Sequence, residues 1–523
     1  MSRTKHGFPY QAGVIDVGAH STRLDLFEVA SGGKITLLES LSRTVNLGYD
    51  VFRHGSVSPG NLSTLGEIMA DFSRKLAEYR VRSCRVVATS AIREAFNREL
   101  VVNRIRSVSN LTLEILESQE ETRISFLSMR DALRKSLPFD ELSGICLVVG
   151  TGSLLVSWFE GGLMRFSEAV PLGTSRLVDA FGRSAFSIEQ IMETLRSQDI
   201  RQRLRESVGL DPSRPVALVA MGASVRHLAG GYAGESAEGG GDELIELPRE
   251  AIVRAVDYAV TAEPAALASE FKVSEPVAGS IAACAGILSY FLDEFNCESF
   301  ICPGTTTRIA LIQDLVRRSR GGRPDPFHDD LAAICGAIGH KYGYDACHAG
   351  HVARISLAIQ EKLRRNFDFA PRSPVLLEVA AYLHDIGRFV DTRQHHKHSC
   401  YLIGNLQLPG VSEAELRVIA AVARYHRKAA PRESHMEYMQ LSAEEKVSVL
   451  KLSAILRVAD ALDCTRQGRF ERMRLLRRGH TLVIQVPDSG SFRQERLYLE
   501  LKGGMFNEVF GLDLKIEETP LIS

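Results

Sequence analysis

The region from residue 351 to residue 460 contains imidazole and carboxylate side chains that could bind metal ions. These residue types are the ligands suited to Zn, Mn, Fe and similar ions. His384 and Asp385 are neighbours in the otherwise apolar segment VLLEVAAYLHDIG, where a buried ionisable pair needs a compensating partner. The alternative interpretation is that these are ordinary surface or hydrogen-bonded histidines, as we expect for His395 and His396. The predicted ligands are His351, His384, Asp385, His398, His426 and Asp460.

Two glycine turns nearer the N-terminus could hold phosphate, because backbone N–H groups and hydroxyls in such turns bind phosphate oxygens. In the first turn, Asp16 stands at the end of a predicted strand. The second, GICLVVGTGSLLVSW, joins two apolar strands and contains no acid. Either turn alone is better explained as an ordinary β-turn, so their duplication is what favours a shared ligand. The predicted phosphate donors are Gly18, Ser21, Gly150, Gly152 and Ser153.

The elements that must position these residues follow from the apolar pattern. GVIDVGAHSTRLDLFEV and ICLVVGTGSLLVSWF share one plan of strand, small-residue turn and strand, which indicates two related α/β halves. A helix is predicted over residues 61–79, with Asn61 as its cap. From Leu331 to about Asp463 the pattern is helix after helix, and alternation returns near the end. The predicted domains are 1–137, 138–320, 325–466 and 467–523, with a linker around 317–330.

Composition limits the partners and the compartment. The chain has 523 residues, 63 basic and 64 acidic, so its net charge of −1 favours neither DNA nor an anionic membrane as a partner. The nine cysteines are scattered without a C-x-x-C pair, as is typical of buried thiols in a reducing compartment. No run of 18 apolar residues occurs. We therefore expect a soluble cytoplasmic protein.

Several segments of the first 320 residues resemble the exopolyphosphatase / guanosine pentaphosphate phosphatase (Ppx/GppA) family in order and spacing. They are GVIDVGAHSTRL, VVATSAIREAFN, ILESQEETRISFL, VVGTGSLLV, AVPLGTSRL and ALVAMGASVRHLA. The resemblance implies a duplicated actin-like ATPase (RNase H-like) α/β fold, and removal of terminal phosphate from polyphosphate or pppGpp with Mg²⁺. It also makes a homodimer an expectation. It assigns Glu121 to orienting the attacking water and Asp16 to assisting the metal. The phosphate path it implies includes Gly18, Ser21, Thr89, Ser90, Arg93 and Gly222.

The second glycine turn departs from the family pattern. Where the family has acids in Asp-Ile-Gly-Gly-Gly-Ser-Thr-Glu-Leu, this chain has Val148 and Leu155. Valine and leucine cannot bind Mg²⁺, so we expect weak metal binding in the cleft between the halves, with charge neutralised by Arg93 or another cation.

The helical region resembles the HD superfamily of metal-dependent phosphohydrolases, which implies an all-α HD domain followed by a small α+β C-terminal cap. By that resemblance one divalent transition-metal ion is held by four residues: His351, His384, Asp385 and Asp460. A second ion is held by His398 and His426, with Asp385 bridging the two. Two such ions clamp a phosphate and activate water.

Three functions are consistent with the sequence. The first is a hydrolase of polyphosphate or guanosine polyphosphate that uses Glu121. The second is an HD-type metal phosphohydrolase in which the actin-like halves bind or sense a ligand. The third is a catalytically degenerate binder that regulates a partner.

Overall fold

The structure is a computed structural model that describes residues 8–181, 188–209, 216–233, 243–262, 264–271, 273–320, 325–487 and 491–518. It divides into two compact units. The first contains the described residues up to Phe327 except 206–208, and the second contains 206–208 and the residues from His328 onward. Part of the predicted linker, residues 321–324, lies outside the described residues.

The first half of unit one is a five-stranded sheet in the order β3-β2-β1-β4-β5. Its strands are β1 (Tyr10–Val17), β2 (Ser21–Val29), β3 (Ile35–Thr44), β4 (Ser83–Ala88) and β5 (Glu114–Ile115). Its helices are α1 (Leu47–His54), α2 (Pro59–Glu78), α3 (Ser90–Glu94), α4 (Arg98–Ser109) and α5 (Ser118–Leu133). The expected cap at Asn61 is wrong: α2 starts at Pro59, and the Ser58 hydroxyl accepts from the Asn61 N–H.

The second half repeats this plan. Its six-stranded sheet has the order β10-β11-β9-β6-β7-β8. The strands are β6 (Ser143–Val149), β7 (Leu154–Glu160), β8 (Leu163–Val170), β9 (Ala217–Met221), β10 (Ile245–Pro248) and β11 (Ser299–Cys302). The helices are α6 (Thr174–Phe181), α7 (Ile188–Arg196), α8 (Ile200–Val208), α9 (Ala223–Ala233), α10 (Arg249–Thr261), α11 (Pro264–Glu270), α12 (Glu275–Glu294) and α13 (Thr307–Arg320).

The five strands of the first sheet have counterparts in the second, which has β10 in addition. In each, an antiparallel hairpin precedes a strand that pairs in parallel with the first: β1 with β4, and β6 with β9. The register also corresponds, because Asp16 faces Arg23 across the first hairpin and Val148 faces Leu155 across the second. Unit one therefore has the mixed-sheet, duplicated actin-like architecture that the sequence predicts.

Helix α13 returns to the first half, although the sequence assigned these residues to the second. Its apolar residues Leu311 and Ile312 pack with Val14 of β1 in one buried cluster. Asp314 on the same helix lies 2.9 Å from Arg85 and 2.7 Å from Arg123. Buried ion pairs and apolar packing thus fix α13 against the first sheet.

Unit two begins as a helical array and ends in a small sheet. The helices are α14 (His328–Lys341), α15 (Ala346–Leu363), α16 (Ser373–Leu383), α17 (His395–Gly404), α18 (Glu413–Arg424), α19 (Met436–Met439) and α20 (Ala443–Leu462). Strands β12 (Arg474–Arg478), β13 (Thr481–Val486) and β14 (Asp513–Glu518) flank α21 (Arg493–Lys502) and α22 (Gly504–Phe510). Capping boxes at Ser412 and Ser442 define where α18 and α20 begin.

One helix of the described residues, α12, includes an 18-residue window long and apolar enough to cross a membrane. Most of that window is buried in the protein, as in the core helix of a soluble protein. The cysteines of the chain are all free, and most are buried.

Candidate functional site

The first candidate site lies at the end of β1, where Asp16, Arg93 and Glu121 converge; we call it the carboxylate site. Glu121, in the first turn of α5, is buried, and its Oε2 lies 3.3 Å from Arg93 Nη1. Arg93 also donates to the Leu116 carbonyl at 2.5 Å, which holds the guanidinium in place. Burial raises the pKa of Glu121; Arg93 opposes the rise, and the nearby charge of Asp16 adds to it.

Asp16 is surrounded by arginines that the sequence analysis missed. Its Oδ1 is buried and has no hydrogen-bond partner among the described residues. Burial raises the pKa of Asp16, while Arg308 and then Arg23 lower it. Arg308 Nε donates to Asp25 Oδ2 at 2.5 Å. Arg23 could have been found from the sequence, because it stands directly opposite Asp16 in the predicted hairpin.

The two glycine turns close in the same way and touch one another's halves. The Gly18 N–H donates to the Ser21 carbonyl, and the Gly150 N–H donates to the Ser153 carbonyl, both at 3.0 Å. A Cβ on Gly152 would lie 2.3 Å from Ser90 Oγ, so only glycine fits where the second turn meets the first half. The structure thus brings both predicted turns and Ser90 together.

Thr89 and Gly222, which were also predicted, lie next to the two turns. The Thr89 N–H lies 3.4 Å from the Val17 carbonyl, next to the first turn. Gly222 has φ +150°, and a Cβ there would lie 2.3 Å from the Val149 carbonyl oxygen. His20 joins the halves directly, because its Nε2 lies 2.5 Å from Ser175 Oγ. Neither His20 nor Ser175 was predicted.

The second turn does not fit a carboxylate-bound Mg²⁺. Val148 and Leu155 are 6% and 1% exposed and face one another in the hairpin, at the positions that correspond to Asp16 and Arg23. Mg²⁺ binds oxygen ligands, and these two side chains offer none. Positive charge near Asp16 is supplied instead by Arg23 and Arg308.

The second candidate site, in unit two, is a cluster of four imidazoles and two carboxylates, which we call the histidine centre. His348, His384 and Asp460 form one group whose ligand atoms lie within 4.8 Å of one another, and His384, Asp385 and His426 form another. His395 joins them, with its Nε2 3.3 Å from Asp385 Oδ1. The members of the histidine centre are His348, His384, Asp385, His395, His426 and Asp460.

All four imidazoles of the histidine centre are held through Nδ1. Three Nδ1 atoms lie 2.7–2.8 Å from the backbone carbonyl three residues earlier: His384 to Ala381, His395 to Thr392 and His426 to Ala423. The fourth, that of His348, lies 2.7 Å from Asp463 Oδ2. A carbonyl only accepts, so Nδ1 carries the proton of a neutral ring and Nε2 presents a lone pair.

These lone pairs meet in the interior. His395 Nε2 and His426 Nε2 are 3.2 Å apart, and His384 Nε2 is buried with no hydrogen-bond partner in the described part of the chain. Opposed lone pairs at this distance repel unless a cation lies between them. In metal-binding histidines, the ring nitrogen that does not bind the metal usually donates its N–H to a carbonyl or carboxylate, which fixes the orientation of the ring. The residues of the histidine centre therefore fit a divalent metal ion.

Protonation states agree with this fit at most positions. Burial lowers the pKa of His384 and of His426. Burial alone would raise the pKa of Asp385, but the neighbouring imidazoles lower it to about 2. His348 differs: burial lowers its pKa, but hydrogen bonds to Asp460 and Asp463 raise it to about 9. A metal ion at His348 must therefore displace a proton.

Two of the predicted ligands lie outside the histidine centre, and in each case the histidine three residues earlier lies in it. His351 points away from the centre, with its Nε2 2.9 Å from Glu471 Oε1, and His348 takes its place. His398 is partly exposed outside the cluster, and His395 takes its place. Residues three apart on a helix lie only about 60° apart around its axis, so both histidines of a pair are on the same side and the surrounding packing decides which one reaches the interior.

Lys502 and Arg466 contact the outer oxygens of the carboxylates. Lys502 Nζ donates to Asp460 Oδ2, and Arg466 Nη2 donates to Asp385 Oδ2 at 3.0 Å. Arg466 also donates to Asp345 at 2.6 Å. Both cations come from beyond residue 463, so no motif within the helical region identified them.

Two models of known protein families match this chain, one in each unit. The model of the Ppx/GppA phosphatase family matches residues 26–318, and that of Ppx/GppA phosphatase domain III matches residues 334–500. The chain belongs to the Ppx/GppA phosphatase family. A similar family member is the guanosine-5'-triphosphate,3'-diphosphate pyrophosphatase of Photobacterium profundum, 21% identical over 97% of each chain. Exopolyphosphatase 1 of Mycobacterium tuberculosis is 28% identical over 32% of this chain and 47% of its own.

Solved structures agree on the fold of the Ppx/GppA core. The exopolyphosphatase of Cytophaga hutchinsonii superimposes with a TM-score of 0.52 at 16% identity, over 59% of this chain and 98% of its own. Ppx/GppA phosphatases are hydrolases of phosphoric anhydrides, and this chain is one by family. The histidine centre lies inside the segment that matches domain III.

Proposed function

We propose that this protein releases terminal phosphate from inorganic polyphosphate or from a guanosine polyphosphate at the carboxylate site. The observation that carries the proposal is Glu121, a buried carboxylate with a raised pKa, ion-paired to Arg93 beside Asp16. A buried acid whose pKa is raised toward neutrality is suited to accept a proton from water. The names of the family members above support the choice of substrates.

The chain's own residues supply the remaining requirements of phosphoryl transfer, which are positioning and charge stabilisation. Glu121 orients the attacking water and takes its proton. The serine hydroxyls of the two glycine turns contact the terminal phosphate, together with turn N–H groups other than those of Gly18 and Gly150, which bond within the turns. Arg93 and Arg308 offset the charge that develops on the phosphate oxygens.

The test is phosphate release from polyphosphate and from pppGpp by wild type, Glu121→Gln and a control, Glu99→Gln, which changes an exposed glutamate. Losing a general base typically costs about 10²–10⁴-fold in rate. We expect that loss for Glu121→Gln and none for the control. Equal rates for wild type and Glu121→Gln would contradict the proposal. Ligand binding by calorimetry without turnover under any metal would indicate a regulatory binder.

A second function, metal-dependent phosphohydrolysis by an HD-type domain, is favoured by the opposed Nε2 atoms of the histidine centre. We propose that one ion is held by His348, His384, Asp385 and Asp460. A second ion would be held by His395 and His426 together with Asp385. When bound, such ions polarise a phosphate and activate water. Asp463 and the three backbone carbonyls hold the imidazoles in the ligating tautomer.

Metal content decides this second function. We expect elemental analysis of purified protein to find up to two transition-metal ions per chain. The double variant His384→Ala/Asp385→Ala should lose them, while the control His351→Ala keeps them. If wild type binds no transition metal, or if the double variant binds as much as wild type, the metal centre is refuted.

A further inference from the structure

A group of basic residues, which we call the basic cluster, adjoins the histidine centre on the side of His395 and His426. Its buried member is His396, only 2% exposed, whose ring centroid lies 5.9 Å from that of His395 and 6.5 Å from that of His426. His396 Nδ1 is buried and makes no hydrogen bond to any described residue. A buried imidazole nitrogen without a partner is costly, so a ligand atom at this position would be stabilising.

Arg424 provides a second hydrogen-bonding group without a partner in the basic cluster. The residue is 8% exposed, and its buried Nε has no hydrogen-bond partner within the described chain. The carboxylate of Glu437 is close, but its Oε1 lies 3.7 Å from Arg424 Nε, beyond hydrogen-bond distance. A buried guanidinium paired this loosely has donor capacity left for an anion.

Two exposed cations complete the basic cluster. Arg427 and Lys428 follow the metal-centre residue His426 along the chain, and Lys428 Nζ donates to the Arg393 carbonyl at 3.1 Å. The ring of His396 packs beside that of His426, and Arg424, Arg427 and Lys428 all lie within two residues of His426 along the chain. Three basic residues and a buried imidazole thus lie around His426, with Glu437 as the neighbouring acid.

We propose that His396, Arg424, Arg427 and Lys428 form an anion subsite that binds a phosphate group adjacent to the one held at the histidine centre. The ligand of unit two is then a compound with at least two linked phosphates, such as a short polyphosphate or a nucleoside polyphosphate, rather than a phosphomonoester. The inference that the ligand extends from the histidine centre to this subsite rests on the metal centre proposed above. The anion subsite itself rests on the unsatisfied nitrogens of His396 and Arg424.

The subsite can be tested by NMR of ¹⁵N-histidine-labelled full-length protein titrated with sodium tripolyphosphate or sodium orthophosphate, metal-free and zinc-loaded. The His396 resonance is assigned by its loss in His396→Gln. We expect tripolyphosphate to shift this resonance at lower concentration than orthophosphate does. In Arg424→Gln/Lys428→Gln the apparent Kd for tripolyphosphate should rise at least about tenfold, the usual effect of losing a charged hydrogen bond.

Controls separate this subsite from folding defects and from the metal centre. Arg417→Gln removes an exposed charge from the same helix and should leave the titration unchanged. Lys428→Gln alone, at an exposed position, covers the case in which the double variant does not fold. A His396 resonance that saturating tripolyphosphate does not move, with or without zinc, overturns the proposal, as does an unchanged Kd in the folded charge variants. If the wild-type protein fails to bind added zinc and tripolyphosphate still shifts the His396 resonance, the metal centre is refuted and the subsite is supported.

Discussion

The carboxylate site and the histidine centre differ in how their side chains are held. Asp16 is at a strand end, and the corresponding strand end of the second half bears Val148. Only one of the two corresponding positions therefore has a carboxylate. The imidazoles of the histidine centre are each fixed by a local acceptor, and none of the six members is apolar. Family resemblance therefore identifies the first site, while local geometry identifies the second.

Among variants that change a residue supporting either site, the largest effect is expected where an orienting group of the histidine centre is changed. Asp463→Asn removes the carboxylate that accepts from His348 Nδ1, and such outer partners typically contribute about 10–100-fold in metal affinity. We expect a loss of that size in zinc affinity, measured by competition with a chelating dye. His351→Gln, on the same helix and turned away from the centre, should bind zinc as wild type does. Equal losses in both variants would mean that the helix has been disturbed as a whole.

A smaller effect is expected at the partner of Glu121. Arg93 lowers the pKa of Glu121 against the effect of burial, so Arg93→Ala should raise that pKa further. The acid limb of the pH–rate profile then moves to higher pH, and the rate at neutral pH falls about tenfold or more. Arg98→Ala removes an exposed arginine from the same region and serves as the control. An unshifted acid limb in Arg93→Ala would show that Glu121 is not the base.

The smallest effect concerns stability. The pKa of Glu121 is raised in the folded protein, so its ionised form is less favourable there than in the unfolded chain. The associated stability is present below the ordinary glutamate pKa and is lost as pH rises through the folded value. Glu121→Gln should therefore gain thermal stability over wild type at pH 8 but not at pH 4. A gain of equal size at both values would contradict the raised pKa.

Sequence patterns predicted the repeated hairpins because strand, turn and strand recur with the same small residues. They could not predict the return of α13 to the first sheet, since Asp314 meets Arg85 across more than 200 positions. In the histidine centre, His384, Asp385, His426 and Asp460 were predicted and do converge. His348 and His395 were missed because histidines three apart on a helix look equivalent until the residues packed around them are known.

The central claim, that the two sites act separately, is tested by measuring transition-metal content and polyphosphate hydrolysis in Mg²⁺ buffer on the same three preparations. These are wild type, Glu121→Gln and His384→Ala/Asp385→Ala. We predict that Glu121→Gln keeps its metal and loses at least about 100-fold in phosphate release. The double variant should lose its metal and release phosphate within about twofold of wild type, as expected if the two sites act independently. Loss of polyphosphate hydrolysis in the double variant, with full activity in Glu121→Gln, would contradict the account.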